Sequence, residues 1–358
     1  MKPAPAAPPP VRRQRNFQNA GERAFAYAKA CGIIGRSFVG KRISALGKPN
    51  TLAELDRLVF PETQRELTER ELLLDLENRI LRRTVEHILA HINSYVNPPL
   101  LLVRQLRSSE YADLKTCLHH IASGKPAPSS LSDLGRFRTV RFEVYPDLKA
   151  MLDGTEFEFI LTQDLGEIQS ALYDFTRLDT ELDLRYYTLL LDSLRSLSDQ
   201  DRFFAQKILA DEISLRNCVW ALRLRSYFHK TPKETVDYLM ELKMPGSRIS
   251  LAAEARKLLD FPLDSRSSWK RWRWEKLLNP AEAGESWTID PRYFQNAASQ
   301  YVYHLSWRYF RRMPFSVSSG FCYIKLKQFE EDLLTSVAEG LGLGMGGNDV
   351  FKLLEVPA

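Results

Sequence analysis

Three stretches of the chain repeat one arrangement of apolar and polar positions. Within residues 110–121, Tyr111, Leu114, Leu118 and Ile121 fall at helical spacing on a single stripe. Residues 211–222 superpose on them without a gap, through Asp211, Glu212, Ser214, Leu215, Arg216, Asn217, Cys218, Val219 and Leu222. Residues 329–341 do so again, with Leu333, Leu334, Val337 and Leu341 continuing the stripe. The aligned columns read Leu114, Leu215, Leu333, then Thr116, Asn217, Thr335, then Cys117, Cys218, Ser336, at intervals of 101 and 118 residues. A second landmark recurs at a similar interval. Leu55 and Leu58 precede Phe60-Pro61, Leu148 and Leu152 precede Gly154-Thr155, and Leu258 and Leu259 precede Phe261-Pro262, each a short apolar helix ending in a breaker. Two landmarks sharing an interval predict a triplicated helical unit, far longer than the roughly 34–47 residues of a solenoid repeat.

Breakers are scarce elsewhere. Of 17 glycines, five cluster at Gly340, Gly342, Gly344, Gly346 and Gly347, so long helices and an all-α fold are the economical reading. The weakest part of that reading is 135–161, where Phe142 and Val144, then Phe157, Phe159 and Leu161, alternate as in a strand; either a short hairpin or an irregular connection fits. Residues 1–18 read as a flexible, proline-rich basic arm, with five prolines in the first ten positions and no apolar core of a secretory signal.

Charge changes the picture less than its total suggests. Of the formal +5, Lys2, Arg12, Arg13 and Arg15 supply four, leaving 46 cations against 45 acids, too even a balance for a broad phosphate-binding face. The longest charge-free run, 88–103, contains His91, Asn93, Asn97 and Pro98-Pro99 and cannot cross a bilayer as one helix. Cys31, Cys117, Cys218 and Cys322 lie far apart, which fits reduced thiols, and the shared column makes Cys117 and Cys218 small packing residues.

Four constellations invite a chemical reading and each has a plainer one. The glycines at 340–347 follow a helix, whereas phosphate-cradling loops follow a strand and open a helix, so a helix cap and turn is expected; no P-loop occurs anywhere. His87 and His91 share a helix face, but Ile88 replaces the glutamate of a zincin and no third ligand is at hand, while His119 and His120 diverge. Residues 268–276 interleave Trp269, Trp272 and Trp274 with Lys270, Arg271, Arg273 and Lys276. A helix burying Trp269 and Trp272 with solvated cations is weighed there against a protein, lipid or nucleic-acid contact. The carboxylates Asp211-Glu212 and Glu330-Glu331 read as polar helix faces. No catalytic, cofactor or metal residues are nominated.

The order of several segments resembles a known family. Glu22, Arg23, Ala24, Phe25, Ala26, Tyr27, Ala28, Lys29 and Ala30, followed by Ile43 and Thr51-Leu52-Ala53-Glu54-Leu55, are similar to the opening of the C subunit of V-type (A-type) ATPases, the counterpart of the eukaryotic d subunit. Pro314-Phe315-Ser316, Gly320-Phe321-Cys322-Tyr323, Lys325-Leu326-Lys327, Glu330, Leu333-Leu334-Thr335 and Glu339-Gly340 resemble its closing motif, and Leu215-Arg216-Asn217 fits the middle. The chain departs in its proline-rich start, in Phe329 and Asp332, and in the density of its glycines. The resemblance implies an all-α funnel of three pseudo-threefold-related subdomains spanning 19–350, divided at about 19–125, 126–230 and 231–350. It further implies a non-catalytic rotor subunit of the rotary ATPase, peripheral at the cytoplasmic face of the membrane, without cofactor. Its partners would be the central-stalk rotor subunits and the proteolipid ring, with torque passing between them for ion transport or ATP synthesis. Neither the ion, H⁺ or Na⁺, nor the residues contacting each partner follow from the sequence. The alternatives are a helical-repeat adaptor outside the rotary ATPase, and a nucleic-acid binder using 269–276.

Overall fold

The computed structural model describes residues 11–62, 67–162, 175–281 and 286–354. In order the helices are α1 (Val11–Ile34), α2 (Leu52–Val59), α3 (Glu69–Ile92), α4 (Leu100–Leu106), α5 (Ser108–Ala122), α6 (Leu148–Leu152), α7 (Phe175–Ser193), α8 (Asp199–Ser226), α9 (Pro232–Val236), α10 (Ala253–Leu258), α11 (Pro291–Arg312), α12 (Val317–Gly342) and α13 (Gly347–Leu354). No strand occurs among the described residues, only the isolated bridge between Lys243 and Ser250. The fold is all-α.

Local chemistry sets the ends of these helices. Thr68 accepts from the Glu71 amide while Glu71 reaches back to Thr68, a reciprocal capping box that opens α3. Ser198 and Ser316 accept from the amides of Asp201 and Ser319 to open α8 and α12. The three predicted short helices are α2, α6 and α10. Residues 11–18, within the expected arm, form the first two turns of α1, which runs without a proline from Val11 to Ile34. Residues 1–10 lie outside the described set. The stretch 135–161 is the irregular connection, with 3₁₀ turns at Gly135–Phe137, Phe142–Val144 and Glu158–Thr162 around α6. Its aromatic alternation reflects burial of Phe142 and Phe157 from successive turns.

The core is built on α12. Every residue of its first three turns, 317–327, is buried, and α12 packs on α11, α3, α4, α1 and α2. Gly320 permits the closest of these approaches: a Cβ there would meet His91 Nε2 at 2.7 Å and Leu102 Cδ1 at 3.1 Å. A second apolar cluster joins the C-terminal half of α8 to α10, the tryptophans at 269, 272 and 274, and Phe294 and Ala298 of α11. The three stripe leucines, Leu114, Leu215 and Leu333, are all buried, as are Cys117 and Cys218, while Ser336 is half-buried.

Buried polar side chains tie these parts together in a regular way. Glu110 on α5 accepts from the amides of Thr139 and Val140, the latter at 2.7 Å. Asn217 on α8 accepts from the Met240 amide at 2.8 Å and donates to its carbonyl at 3.2 Å. Glu330 on α12 accepts from the Phe38 amide at 2.7 Å. The pegged amides at 38, 139 and 240 are 101 residues apart in both steps. Thus α5 holds the connection leading to α6, α8 holds the one leading to α10, and α12 reaches back across 292 residues to the one leading to α2. The pattern is cyclic: the last long helix closes on the first connection.

Candidate docking surfaces

Two surfaces stand out once the helices are assembled. The first is a charged recess where α5, α7, α8 and α12 converge. Asp183 on α7 bridges Lys115 on α5 at 2.7 Å and Arg216 on α8 at 2.9 Å. Desolvation pushes the Asp183 carboxyl up, but Arg216 and Lys115 outweigh it and hold it below its ordinary value. Beside this bridge, Glu212 on α8 accepts from Lys325 Nζ at 2.7 Å and from Tyr187 Oη at 2.9 Å. Asp332 completes the recess from α12. Its side chain is exposed, yet desolvation pushes its pKa up to about 6 against the pull of Lys325 and Arg216. Its half-buried neighbour Glu331 is pushed up to about 8, by desolvation first and Asp332 second.

The second surface is aromatic. Phe25 on α1, Phe203 on α8 and Phe315 between α11 and α12 are 61%, 65% and 54% exposed. They share one end of the molecule. Tyr27 packs edge-on against Phe315 at 5.4 Å, Phe204 links Phe203 to Tyr309, and Arg23 pairs with Asp201 at 3.7 Å. Large exposed apolar side chains grouped in this way characterise protein contact surfaces.

The residues singled out in the sequence fall mostly elsewhere. The glycines at 340–347 cap α12 and turn the chain into α13: Gly344 has φ +80°, and the amides of Leu343, Gly344 and Met345 bond back to Glu339, Leu341 and Gly340. His87 and His91 stay on α3, both pushed down to about 4 by desolvation, with His91 packed against Tyr95 and Tyr323. No metal-binding group of side chains exists among the described residues. Trp269, Trp272 and Trp274 are all buried, but not along one helix: Trp269 ends the 3₁₀ turn Arg266–Trp269 and the other two lie outside any helix. Their indole N–H groups donate to Pro262 O, Glu254 O and Ser214 Oγ, and their burial leaves none a free face for stacking a base.

The carboxylates require a correction. Asp211 and Glu330 are buried, not on polar faces. Asp211 accepts from Lys207 and Arg273 at 2.6 Å each and from Tyr301 at 2.8 Å, while Glu330 pairs with buried Lys327. Each is compensated by one lysine at helical spacing and by distant donors that helical periodicity does not reveal, Arg273 and Tyr301 for Asp211 and the Phe38 amide for Glu330. Of the segments resembling the V-type family, Cys322, Tyr323, Lys325, Lys327 and Glu330 are buried, Lys325 reaching the recess through Glu212, while Arg216 opens onto it.

Comparison with known proteins agrees with this architecture. The family model for the ATP synthase (C/AC39) subunit matches residues 61–350. The chain belongs to this family. It is also similar to an uncharacterized protein of Treponema pallidum (strain Nichols), 26% identical over 324 residues that cover 89% of this chain and 92% of that protein. Membership in the C/AC39 family makes the chain a non-catalytic V/A-type ATPase subunit. Such a subunit works within a complex at a membrane, and among the described residues no helix is long and apolar enough to cross one.

Proposed function

We propose that this member of the C/AC39 family is a rotor component, sitting at the cytoplasmic face between the central stalk and the proteolipid ring and carrying torque from one to the other. The observation that carries the reading is the charged recess, whose desolvated yet accessible Asp332 and Arg216 are suited to receive the end of another protein. The cyclic pegs at Phe38, Thr139 and Met240 support three related units, divided at about 19–125, 126–230 and 231–350, closed into a stiff funnel-like collar. A coupler needs two unlike ends and little internal play. The recess and the aromatic rim differ in chemistry, and close-packed helices deform little under load.

The test is co-purification with a functional readout. Tagged full-length chain expressed in its own cells should bring down the stalk subunits and the proteolipid ring, and deletion should abolish ATP-driven ion pumping. Reversal of the recess charge with Asp332→Lys should release the stalk and leave the ring bound. Recovery of the chain alone, with pumping unaffected by its deletion, would refute the reading.

A further inference from the structure

Away from both docking surfaces, a cavity of about 770 Å³ opens between the C-terminal end of α8 and the N-terminal end of α11. The two helices run antiparallel, since Tyr301 meets Asp211 while Arg292 and Arg223 share the cavity wall at the other end. Its lining is rich in cations: Arg223, Arg225 and Arg292 face it beside His229, and Asp290 is the one acid among the described lining residues. Asp290 is already engaged, accepting from the Arg292 amide at 2.8 Å as the cap of α11. Arg225 is engaged too, its Nη1 donating to the carbonyls of Leu258 at 2.7 Å and Phe261 at 2.9 Å.

Arg292 makes only a long pairing with Asp290, Nε to Oδ1 at 3.7 Å, on the exposed rim. Among the described residues, Arg223 Nε and Ser226 Oγ on the cavity wall are buried donors without a hydrogen-bond partner; outside the lining, Trp220 Nε1 on α8 is a further unpartnered donor and Gln295 Oε1 on α11 an unpartnered acceptor. Cations at the end of α8 do complement the negative pole of the helix. That accounts for arginines being there, but not for a buried guanidinium N–H and a hydroxyl without acceptors, which buried polar groups rarely tolerate. Acceptors that also carry negative charge satisfy both the unmatched N–H and O–H donors and the unbalanced cations. A phosphate group, with several oxygens and at least one full charge, is the small chemical group that does so with the strongest hydrogen bonds.

We propose that this cavity binds a small phosphate-bearing anion, with Arg223 and Ser226 donating to its oxygens and Arg292 closing on it from the rim. Half-exposed Tyr227 on the same wall provides a surface for stacking a base, so the phosphate is read either alone or as part of a nucleotide.

Isothermal titration of the purified full chain with pyrophosphate, and separately with ATP, tests this without reference to the rotor assignment. Saturable binding is expected, weakening as salt rises. Arg292→Gln should weaken it about tenfold, the loss of one charge-assisted contact, with an unchanged circular dichroism spectrum. Arg223→Gln should do the same if it folds, and Arg195→Gln, at a site 75% exposed elsewhere, should leave the affinity intact. Equal affinity for the two ligands identifies the phosphate as what is read, and tighter ATP binding identifies a nucleotide. Absence of saturation by either at about 5 mM, or equal weakening by Arg292→Gln and Arg195→Gln, overturns the proposal.

Discussion

Glu330 is the point where the cyclic closure is most open to attack. Its carboxylate accepts from the Phe38 amide at 2.7 Å and pairs with Lys327, whose ammonium also donates to Ser37 Oγ at 3.1 Å. Both side chains are almost wholly buried, at 2% and 1% exposure. Glu330→Gln keeps an oxygen for the Phe38 amide but leaves the lysine charge unpaired in the core. Breaking a buried pair from one side costs about 3–5 kcal/mol. An independent bound comes from titration: the stranded lysine can shed its proton, which at pH 7 costs about 5 kcal/mol for a group with an ordinary pKa near 10.5. The two figures agree. Burial already pushes Lys327 below its ordinary value in spite of Glu330, and without Glu330 the folded-state pKa falls further. A lysine whose folded pKa lies below its unfolded one destabilises the fold most at low pH, and the penalty shrinks as pH rises toward the unfolded value. Urea unfolding followed by circular dichroism should therefore show Glu330→Gln losing about 3–5 kcal/mol at pH 7 and much less at pH 9.5. Lys327→Met added to Glu330→Gln should restore all but about 1–2 kcal/mol, because no charge is then stranded. A loss under about 1 kcal/mol for Glu330→Gln, or a double variant no better than the single one, would show that the closure does not rest on this pair.

Two further outcomes follow from the same structure. Glu331 has its folded-state pKa raised to about 8, so the folded chain holds the proton more tightly and stability falls as pH climbs from the unfolded value near 4.5 through 8. The full shift corresponds to about 5 kcal/mol, which the partial solvation of the recess screens to about 1–2, and Glu331→Gln should gain that amount at pH 8.5 and nothing at pH 4, as read from thermal unfolding; a parallel pH profile for variant and parent contradicts the assignment. At Gly340 an added Cβ would meet Val350 Cγ2 at 2.3 Å, and Val350 is buried and β-branched. Gly340→Ala should lose about 1–2 kcal/mol despite a gain of roughly 1 in helix propensity, and loosen α13 to proteolysis; a net gain in stability would mean that α13 moves aside freely.

What the sequence revealed and what it concealed divide along a physical line. Leu114, Leu215 and Leu333 announce themselves because burial on one helix face imposes a period of 3.6, and α2, α6 and α10 because a breaker ends each. Trp269 and Trp272 were legible as core but not as parts of an irregular segment, since an indole is buried on any backbone that brings it inside. Glu110, Asp211 and Glu330 were not legible at all. A buried carboxylate is indistinguishable in sequence from a solvated one until its partners are known, and those of Glu330 include an amide 292 residues away. The recess was hidden for the same reason: Lys115, Arg216 and Asp332 lie in the three repeated stretches, but nothing in the sequence joins them to one another or to Asp183 on a fourth helix.

The division between the two kinds of ion pair bears on how a protein of this kind holds its shape while engaging partners. Lys327–Glu330 and the contacts of Asp211 are buried at their acidic ends, where exchange of partner strands a charge at a cost of about 3–5 kcal/mol. Lys115–Asp183–Arg216 is partly solvated, and a pair of that kind is worth about 0.2–1 kcal/mol. The recess can therefore rearrange at little expense when a cationic side chain enters, whereas the pegs at Phe38, Thr139 and Met240 cannot slip. On the rotor reading this is the required asymmetry. A load applied in the recess meets readily exchanged contacts at the surface and a closed circuit of hydrogen bonds beneath, so that force spreads to all three units together instead of along the single covalent connection from one to the next.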